Sequence, residues 1–353
     1  MMRFALVIWL VAGAISPPAA GSSLFRLEPE QPWAGIVRQA LDVRVMDEGR
    51  ILLAVGRNGL VECSWGRFQD CRTIISGGNE ASDKRLPRFD FTSLAAASGR
   101  YAAVGSGFGA VAVLDRQAGA FKTISFAAPI DMDAGGGSLV ILGSQRTNGQ
   151  WAPDGGIAWF GNLENGLAGV KPILFSSTSS NAKSIGYCGQ LLTGGVRFFP
   201  NGSFVVVPGV DPGIFLFDAL GRLIRTWETD GLGFLDRCPL DDAQARSLGS
   251  LEPRMAWINR NRVIDEVLSL DQGPAVIVRT VAGGVVSWEV VLFLFNGRIQ
   301  RERLPFSSKS GFTRLRADRK GSRVVFLLTE HTSDPPARQR LIRGEVDSRS
   351  IRP

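Results

Sequence analysis

The residues of this chain that could do chemistry are scattered, and taken singly each reads as structural. His331 is the only histidine. A Ser-His-Asp triad would have to run through it, and no G-x-S-x-G elbow supplies the nucleophile. It lies in Thr329-Glu330-His331-Thr332-Ser333-Asp334, a polar loop that predicts an exposed side chain. Ser180-Asn181-Ala182-Lys183 matches the S-x-x-K spacing in which a lysine activates a serine. The companion S-D-N and K-T-G elements are missing, so it reads as part of a Ser-rich loop. Gly105-Ser106-Gly107-Phe108-Gly109 imitates a phosphate loop but joins two predicted strands and opens no helix, leaving a hairpin loop.

Asp131-Met132-Asp133-Ala134-Gly135 resembles the start of a calcium loop, yet Leu142 stands where the bidentate glutamate belongs. The segment reads as a structural turn. Asp241-Asp242-Ala243-Gln244-Ala245 predicts a short capping helix whose acids favour its N-terminus. No catalytic residue, metal ligand or cofactor is assigned from these motifs.

The four cysteines are Cys63, Cys71, Cys188 and Cys238. The first two flank a Trp65-Gly66-Arg67-Phe68 turn, which brings their strands to cross-strand distance. The second two sit in the longest insertions. A four-thiolate zinc site wants paired C-x₂₋₄-C spacings that are absent. Two disulfides, Cys63 with Cys71 and Cys188 with Cys238, are therefore expected, in an oxidising compartment. The N-terminus agrees: Arg3, an apolar run from Phe4 to Ile15, and the small residues Pro17-Pro18-Ala19-Ala20-Gly21 have the layout of a signal peptide over residues 1–21. The run falls short of the about 20 residues that span a bilayer. The expectation is a secreted or periplasmic protein with no transmembrane segment.

The elements that must position these residues follow from a repeat. GRILLAV from Gly49, GRYAAVG from Gly99, GSLVILG from Gly137, GSFVVVP from Gly202, GPAVIVR from Gly273 and GSRVVFL from Gly321 each place an apolar strand after a glycine turn. Their spacing is close to or above the roughly 40–50 residues of a four-stranded propeller blade. The prediction is all-β: residues 22–353 form a single six-bladed β-propeller of four-stranded antiparallel blades. The strands before the glycines, such as ALDVRVMDE, FTSLAAAS, GVRFFPN and FTRLRADRK, would be innermost and line the channel. Blade six lacks a strand, and SSLFRLE from Ser22 or WAGIV from Trp33 is expected to complete it.

Blade four, VRFFPNGSFVVVPGVDPGIFLFDALGRLIRTWETDG, resembles an NHL-type repeat: strand, Asn-Gly turn, strand, loop, strand ending in Phe-Asp, Leu-Gly-Arg turn, strand. The resemblance covers about 35 residues well and the other blades in outline. It implies the propeller fold, while Val210-Asp211-Pro212-Gly213 replaces the charged loop of that family.

Length asymmetry points to one face. First-to-second and third-to-fourth turns are short, whereas Ser144–Gly155, Ser176–Gly195, Glu228–Arg262 and His331–Arg338 all lie in connections that leave the opposite face. Long loops on a rigid scaffold collect binding groups. Arg57, Asn58, Trp151, Asp211 and His331 are the candidate binding residues there. The functional reading is an exported, non-enzymatic binding or scaffold propeller for a protein, glycan or small ligand, with no specific nucleic acid. The alternative is a metal-dependent hydrolase or lactonase with carboxylate ligands in the central channel. Charge adds a third reading. The chain is +7 overall, and residues 297–353 hold 14 Lys or Arg against 6 Asp or Glu. The basic last blade would then meet an anionic surface, unless its arginines simply solvate outward-facing strand positions.

Overall fold

Each glycine-led apolar run forms the second strand of a four-stranded antiparallel sheet, and six such sheets form the blades of a propeller. The computed structural model describes residues 23–351 apart from 31–39, 47–48, 67–69, 78–88, 90–92, 107–108, 127, 145, 148–149, 152–154, 166, 168, 176–187, 189–193, 249–250, 310–312 and 331–337. After β1 (Phe25–Leu27), blade one is β2 (Asp42–Val45), β3 (Arg50–Ala54), β4 (Leu60–Ser64) and β5 (Cys71–Ile75). Blade two is β6 (Leu94–Ser98), β7 (Tyr101–Ser106), β8 (Ala110–Asp115) and β9 (Phe121–Ser125). Blade three is β10 (Ala128–Gly135), β11 (Ser138–Ser144), β14 (Gly156–Asn162) and β15 (Lys171–Phe175), with a small hairpin of β12 (Arg146–Thr147) and β13 (Gln150–Trp151) in its middle loop. Blade four is β16 (Gly195–Phe198), β17 (Phe204–Val207), β18 (Ile214–Phe217) and β19 (Leu223–Trp227). Blade five is β20 (Val263–Leu270), β21 (Gly273–Ala282), β22 (Val285–Phe293) and β23 (Ile299–Ser308). Blade six is β24 (Thr313–Lys320), β25 (Arg323–Glu330), β26 (Arg338–Val346) and, from the other end of the chain, β1.

The apolar runs are continuous because a second strand is covered on both faces by neighbouring blades, as in any sheet buried on both sides. Outer strands have one wet face and alternate: β23 reads Ile-Gln-Arg-Glu-Arg-Leu-Pro-Phe, with Leu304 and Phe306 buried and Ile299 exposed. The hydrophobic core is accordingly six sandwiches rather than one ball. One packs blade one on blade two through Leu52, Leu60 and Ala102, and another packs blade six on blade one through Val325, Leu327 and Ile51. Gly273 shows why glycine opens a second strand: at φ +151° a Cβ would meet the Phe293 carbonyl oxygen at 1.9 Å.

The predicted closure is made by the first candidate. β1 pairs antiparallel with β26, Phe25 opposite Val346 and Leu27 opposite Gly344, so the N-terminal strand covers the outer edge of the last blade. Leu24 and Phe25 are buried in the sandwich of blades five and six, with the Phe25 ring edge-on to Phe326 at 5.3 Å. The second candidate, residues 33–37, lies outside the described residues. Helices α1 (Asp242–Ser247) and α2 (Leu251–Asn259) occupy the connection from blade four to blade five. Asp241 caps α1 as expected, Oδ1 accepting the N–H groups of Ala243 at 2.9 Å and Gln244 at 2.7 Å. Among the described residues no helix is long and apolar enough to cross a membrane.

Candidate functional site

The innermost strands bring charge to the propeller axis. Each presents an inner edge whose backbone N–H groups have no further strand to bond, and buried groups of this kind must find another partner. Carboxylates from the preceding blade supply it. Asp42 of blade one accepts from Ala95 N–H of blade two at 2.9 Å. Asp131 and Asp133 of blade three accept from Val196 (2.9 Å) and Phe198 (2.8 Å) of blade four. Asp318 of blade six accepts from Val45 of blade one at 2.6 Å. The contact of Glu266 with Ala317 N–H, blade five to blade six, is longer at 3.4 Å. Side chain and sheet edge thus stitch four neighbouring-blade junctions.

Three arginines pair with four of these five acids, Asp42, Asp131, Glu266 and Asp318. Arg44 reaches Asp42 at 3.0 Å and Asp131 at 2.8 Å. Arg197 reaches Asp131 at 2.6 Å and Glu266 at 2.7 Å. Arg316 reaches Glu266 at 3.3 Å and donates to the Ile130 carbonyl at 3.1 Å. All three guanidinium side chains are at most 2% exposed. Burial alone would raise the Asp131 pKa, but Arg197, Arg44 and Arg316 together hold it well below the ordinary carboxylate range. For Asp318 burial wins over Arg44 and Arg197, helped by the charge of Asp133, and the group is pushed up to about 6. Beside this set, Arg316 and burial pull Arg314 down to about 10.

The segment read as a turn is therefore strand: Asp131 and Asp133 project from β10, and the turn falls one step later at Gly136-Gly137. A strand explains the i, i+2 spacing, since alternate residues share a face. The same period occurs in Asp42/Arg44 and in Arg314/Arg316/Asp318. Charge repeating every second residue inside an otherwise apolar innermost strand was the available signal for this network. Chemically the axis is a network of buried ion pairs. Its carboxylates face guanidinium groups, which repel a divalent cation from the same oxygens. Among the described residues no group of three or more His, Cys, Asp or Glu is arranged to hold a metal ion.

The loop-face candidates are spread around the ring. Arg57 and Asn58 are exposed in the β3–β4 loop of blade one. Trp151 belongs to β13 in the middle loop of blade three. Asp211 lies in the β17–β18 loop of blade four and is buried there. His331 and Ser180–Lys183 lie outside the described residues. Of the Gly105–Gly109 segment, Gly105 and Ser106 end β7 and Gly109 leads into β8, while residues 107–108 lie outside the described residues.

Both expected disulfides are formed. Cys63 and Cys71 face each other across β4 and β5, Cα atoms 4.1 Å apart. Cys188 bonds Cys238 with Cα atoms 5.6 Å apart. This bridge joins the connection entering blade four to the one leaving it, and Cys238 N–H donates to the Val210 carbonyl at 3.0 Å. Two flanking connections and the middle loop of blade four are thereby tied together.

The basic last segment is not one surface patch. Arg316 is inside the channel, Arg319 pairs with Asp271 at 2.7 Å, Arg343 pairs with Glu28 at 2.8 Å, and Arg340 pairs with Glu30. Part of the excess charge is consumed by the axis and by the segment following β1, a use of arginine that counting charges does not reveal.

No protein-family model matches this chain, and no curated protein matches it in sequence. Similar solved structures include the Myceliophteria thermophila Cps50 (Swd1) β-propeller domain, 10% identical, covering 88% of this chain and 97% of that one with a TM-score of 0.47. The computationally designed Ika8 protein is 10% identical, with coverage of 86% and 82% and a TM-score of 0.41. The N-terminal domain of Nup159 is 13% identical, with coverage of 88% and 76% and a TM-score of 0.40.

Proposed function

We propose that this chain is an exported, non-enzymatic binding propeller that engages a protein, glycan or small ligand through its long-loop face. The observation that carries the reading is the axis. Its acids are committed to arginines and to sheet-edge N–H groups, so the usual concave place for chemistry in a propeller is occupied by the protein itself. That argues against the hydrolase alternative, which needs channel carboxylates available to a metal. Function then moves to the loops, where the Cys188–Cys238 bridge stiffens the surroundings of blade four and lowers the ordering cost of binding. Two disulfides and the leader-like residues 1–21 support an oxidising, exported location.

The test is site-specific photo-crosslinking in exported protein, with the reactive side chain at Asn58 on the long-loop face or at Leu220 on the short-turn face. Adducts from Asn58 and none from Leu220 are expected. Adducts confined to Leu220, or an uncleaved chain retained in the cytoplasm, refute the reading.

A further inference from the structure

Between blades one and two, at the end where the short turns leave, a cavity of about 470 Å³ is lined by Met46, Arg50, Glu62, Arg72, Arg100 and Arg116, among others. Glu62 sits at its base, with a side chain only 2% exposed. Three guanidinium groups converge on it. Arg72 contacts Oε2 with Nε at 2.7 Å and Nη2 at 2.6 Å. Arg116, from the end of β8 in blade two, reaches Oε1 at 3.0 Å, and Arg50 reaches Oε2 at 3.4 Å. At the rim, Arg100 is held by Asp115, Nε to Oδ1 at 2.6 Å, and also feels Glu164.

We propose that this pocket binds the oxyanion of a phosphate or sulfate group carried on a small organic molecule. The reading does not depend on the long-loop face. One carboxylate balances one guanidinium, so Arg50, Arg72, Arg116 and Glu62 leave a net charge of about +2. Fifteen N–H donors, five per guanidinium, exceed what the two oxygens of Glu62 can accept. A structural ion pair needs one arginine; three around one carboxylate repel one another, with Arg50 and Arg72 partly screened by solvent, and a further anion relieves that repulsion. Guanidinium forks match the oxygens of phosphate and sulfate in geometry as well as charge. The cavity is also within the roughly 300–1,000 Å³ of small-molecule sites, larger than a bare oxyanion requires.

The sheet is built to keep this arrangement. Glu62 and Arg72 are directly opposite in the β4–β5 ladder, and the adjacent pair is Cys63 opposite Cys71, joined as a disulfide. The crosslink pins the register that puts Arg72 over Glu62, while its own sulfurs lie on the other face of the sheet. Burial opposes ionisation of Glu62, but the Arg72 hydrogen bond and the charges of Arg116, Arg72 and Arg50 overcome it and hold the carboxylate ionised. Glu62 thus serves as the internal counter-charge that keeps three arginines aimed at one point.

Calorimetry on the full chain at constant ionic strength tests this with inorganic phosphate, inorganic sulfate, glucose 6-phosphate and glucose. Phosphate or sulfate is expected to bind, glucose not at all, and glucose 6-phosphate more tightly than inorganic phosphate. The tighter of phosphate and sulfate identifies the group carried. Arg116→Gln is expected to weaken binding roughly tenfold or more, and Arg222→Gln on blade four to leave it unchanged. A measurement on the native chain covers the case in which the pocket variant fails to fold. The tighter-binding of phosphate and sulfate should protect Arg50, Arg72 and Arg116 from phenylglyoxal, read by peptide mass spectrometry. Failure of both phosphate and sulfate to bind, undiminished binding by Arg116→Gln, or absence of protection overturns the site. Equal affinity for glucose 6-phosphate and inorganic phosphate overturns the organic body of the ligand.

Discussion

Asp318, on the innermost strand of the last blade, accepts the backbone N–H of Val45, on the innermost strand of the first, at 2.6 Å. The two residues are 273 positions apart in the chain. Their bond closes the ring at the axis, where β1 pairing with β26 closes it at the rim. The same carboxylate lies 3.5 Å from Arg197 Nε, so blade closure and the central ion-pair network share one side chain.

Asp318→Ala removes the acceptor and leaves the Val45 N–H buried without it. A cost of about 1–3 kcal/mol is expected for such a group, measured by urea unfolding. Asp318→Asn keeps a carbonyl oxygen at the same reach and should cost less. Equal losses in the two variants would show that the hydrogen bond to Val45 is not what Asp318 contributes.

The same residue gives a pH signature. Its folded pKa, about 6, is above the ordinary 3.8, so the folded chain holds this proton more tightly than the unfolded one. That contribution is fully present below about pH 4 and is lost as pH rises through about 6. Asp131, held low by its arginines, has the opposite sign: it stabilises at neutral pH and its share is lost in strong acid. Melting temperature against pH should therefore fall less steeply between pH 4 and 6 in Asp318→Asn than in the native protein. Unchanged slopes would contradict the assignment.

Arg197 is the most committed cation on the axis, bridging Asp131 and Glu266. Arg197→Met leaves both acids buried and under-compensated, and a loss of about 3–5 kcal/mol is expected. Arg197→Lys should recover only part of it, because one ammonium cannot span two carboxylates as a planar fork does. Denaturant midpoints decide this, and a neutral Met variant would refute it.

At the rim, Phe25→Ala removes a ring packed on Phe326 and should cost about 3–5 kcal/mol. Deleting residues 23–27 goes further, exposing the edge of β26 to other chains. Light scattering during heating should then show aggregation at a lower temperature than the native chain. Unchanged melting would mean that β1 does not close the ring.

Non-reducing peptide mapping should recover one crosslinked species joining Cys188 to Cys238 and another joining Cys63 to Cys71. The longer bridge closes a loop with a sequence separation of 50, which chain entropy values at about 4 kcal/mol. The double variant Cys188→Ala with Cys238→Ala should therefore lower stability far more than Leu220→Ala on the opposite face. Free thiols at both positions, or Cys63 joined to Cys238, would rule out the pairing.

What the sequence determined by itself was the local, repetitive part of this protein. Glycine turns followed by apolar runs at Gly49, Gly99, Gly137, Gly202, Gly273 and Gly321 carry strand number and blade number, because turn geometry and burial on both sheet faces are written into neighbouring residues. The hairpin of Cys63 and Cys71 was legible for the same reason, and the missing fourth strand of blade six pointed to the N-terminus. The tertiary structure alone decided which distant residues share a point in space. Asp131 looked like a turn residue until β10 placed it between Arg44 and Arg197. The arginines of the last blade looked like surface charge until the ring put Arg316 at the axis beside Glu266. Arg50, Glu62, Arg72 and Arg116 carry no motif, since their meeting depends on two blades standing side by side. Ring closure sets those distances, and the energy of an ion pair depends on distance and burial in the folded chain rather than on spacing along it.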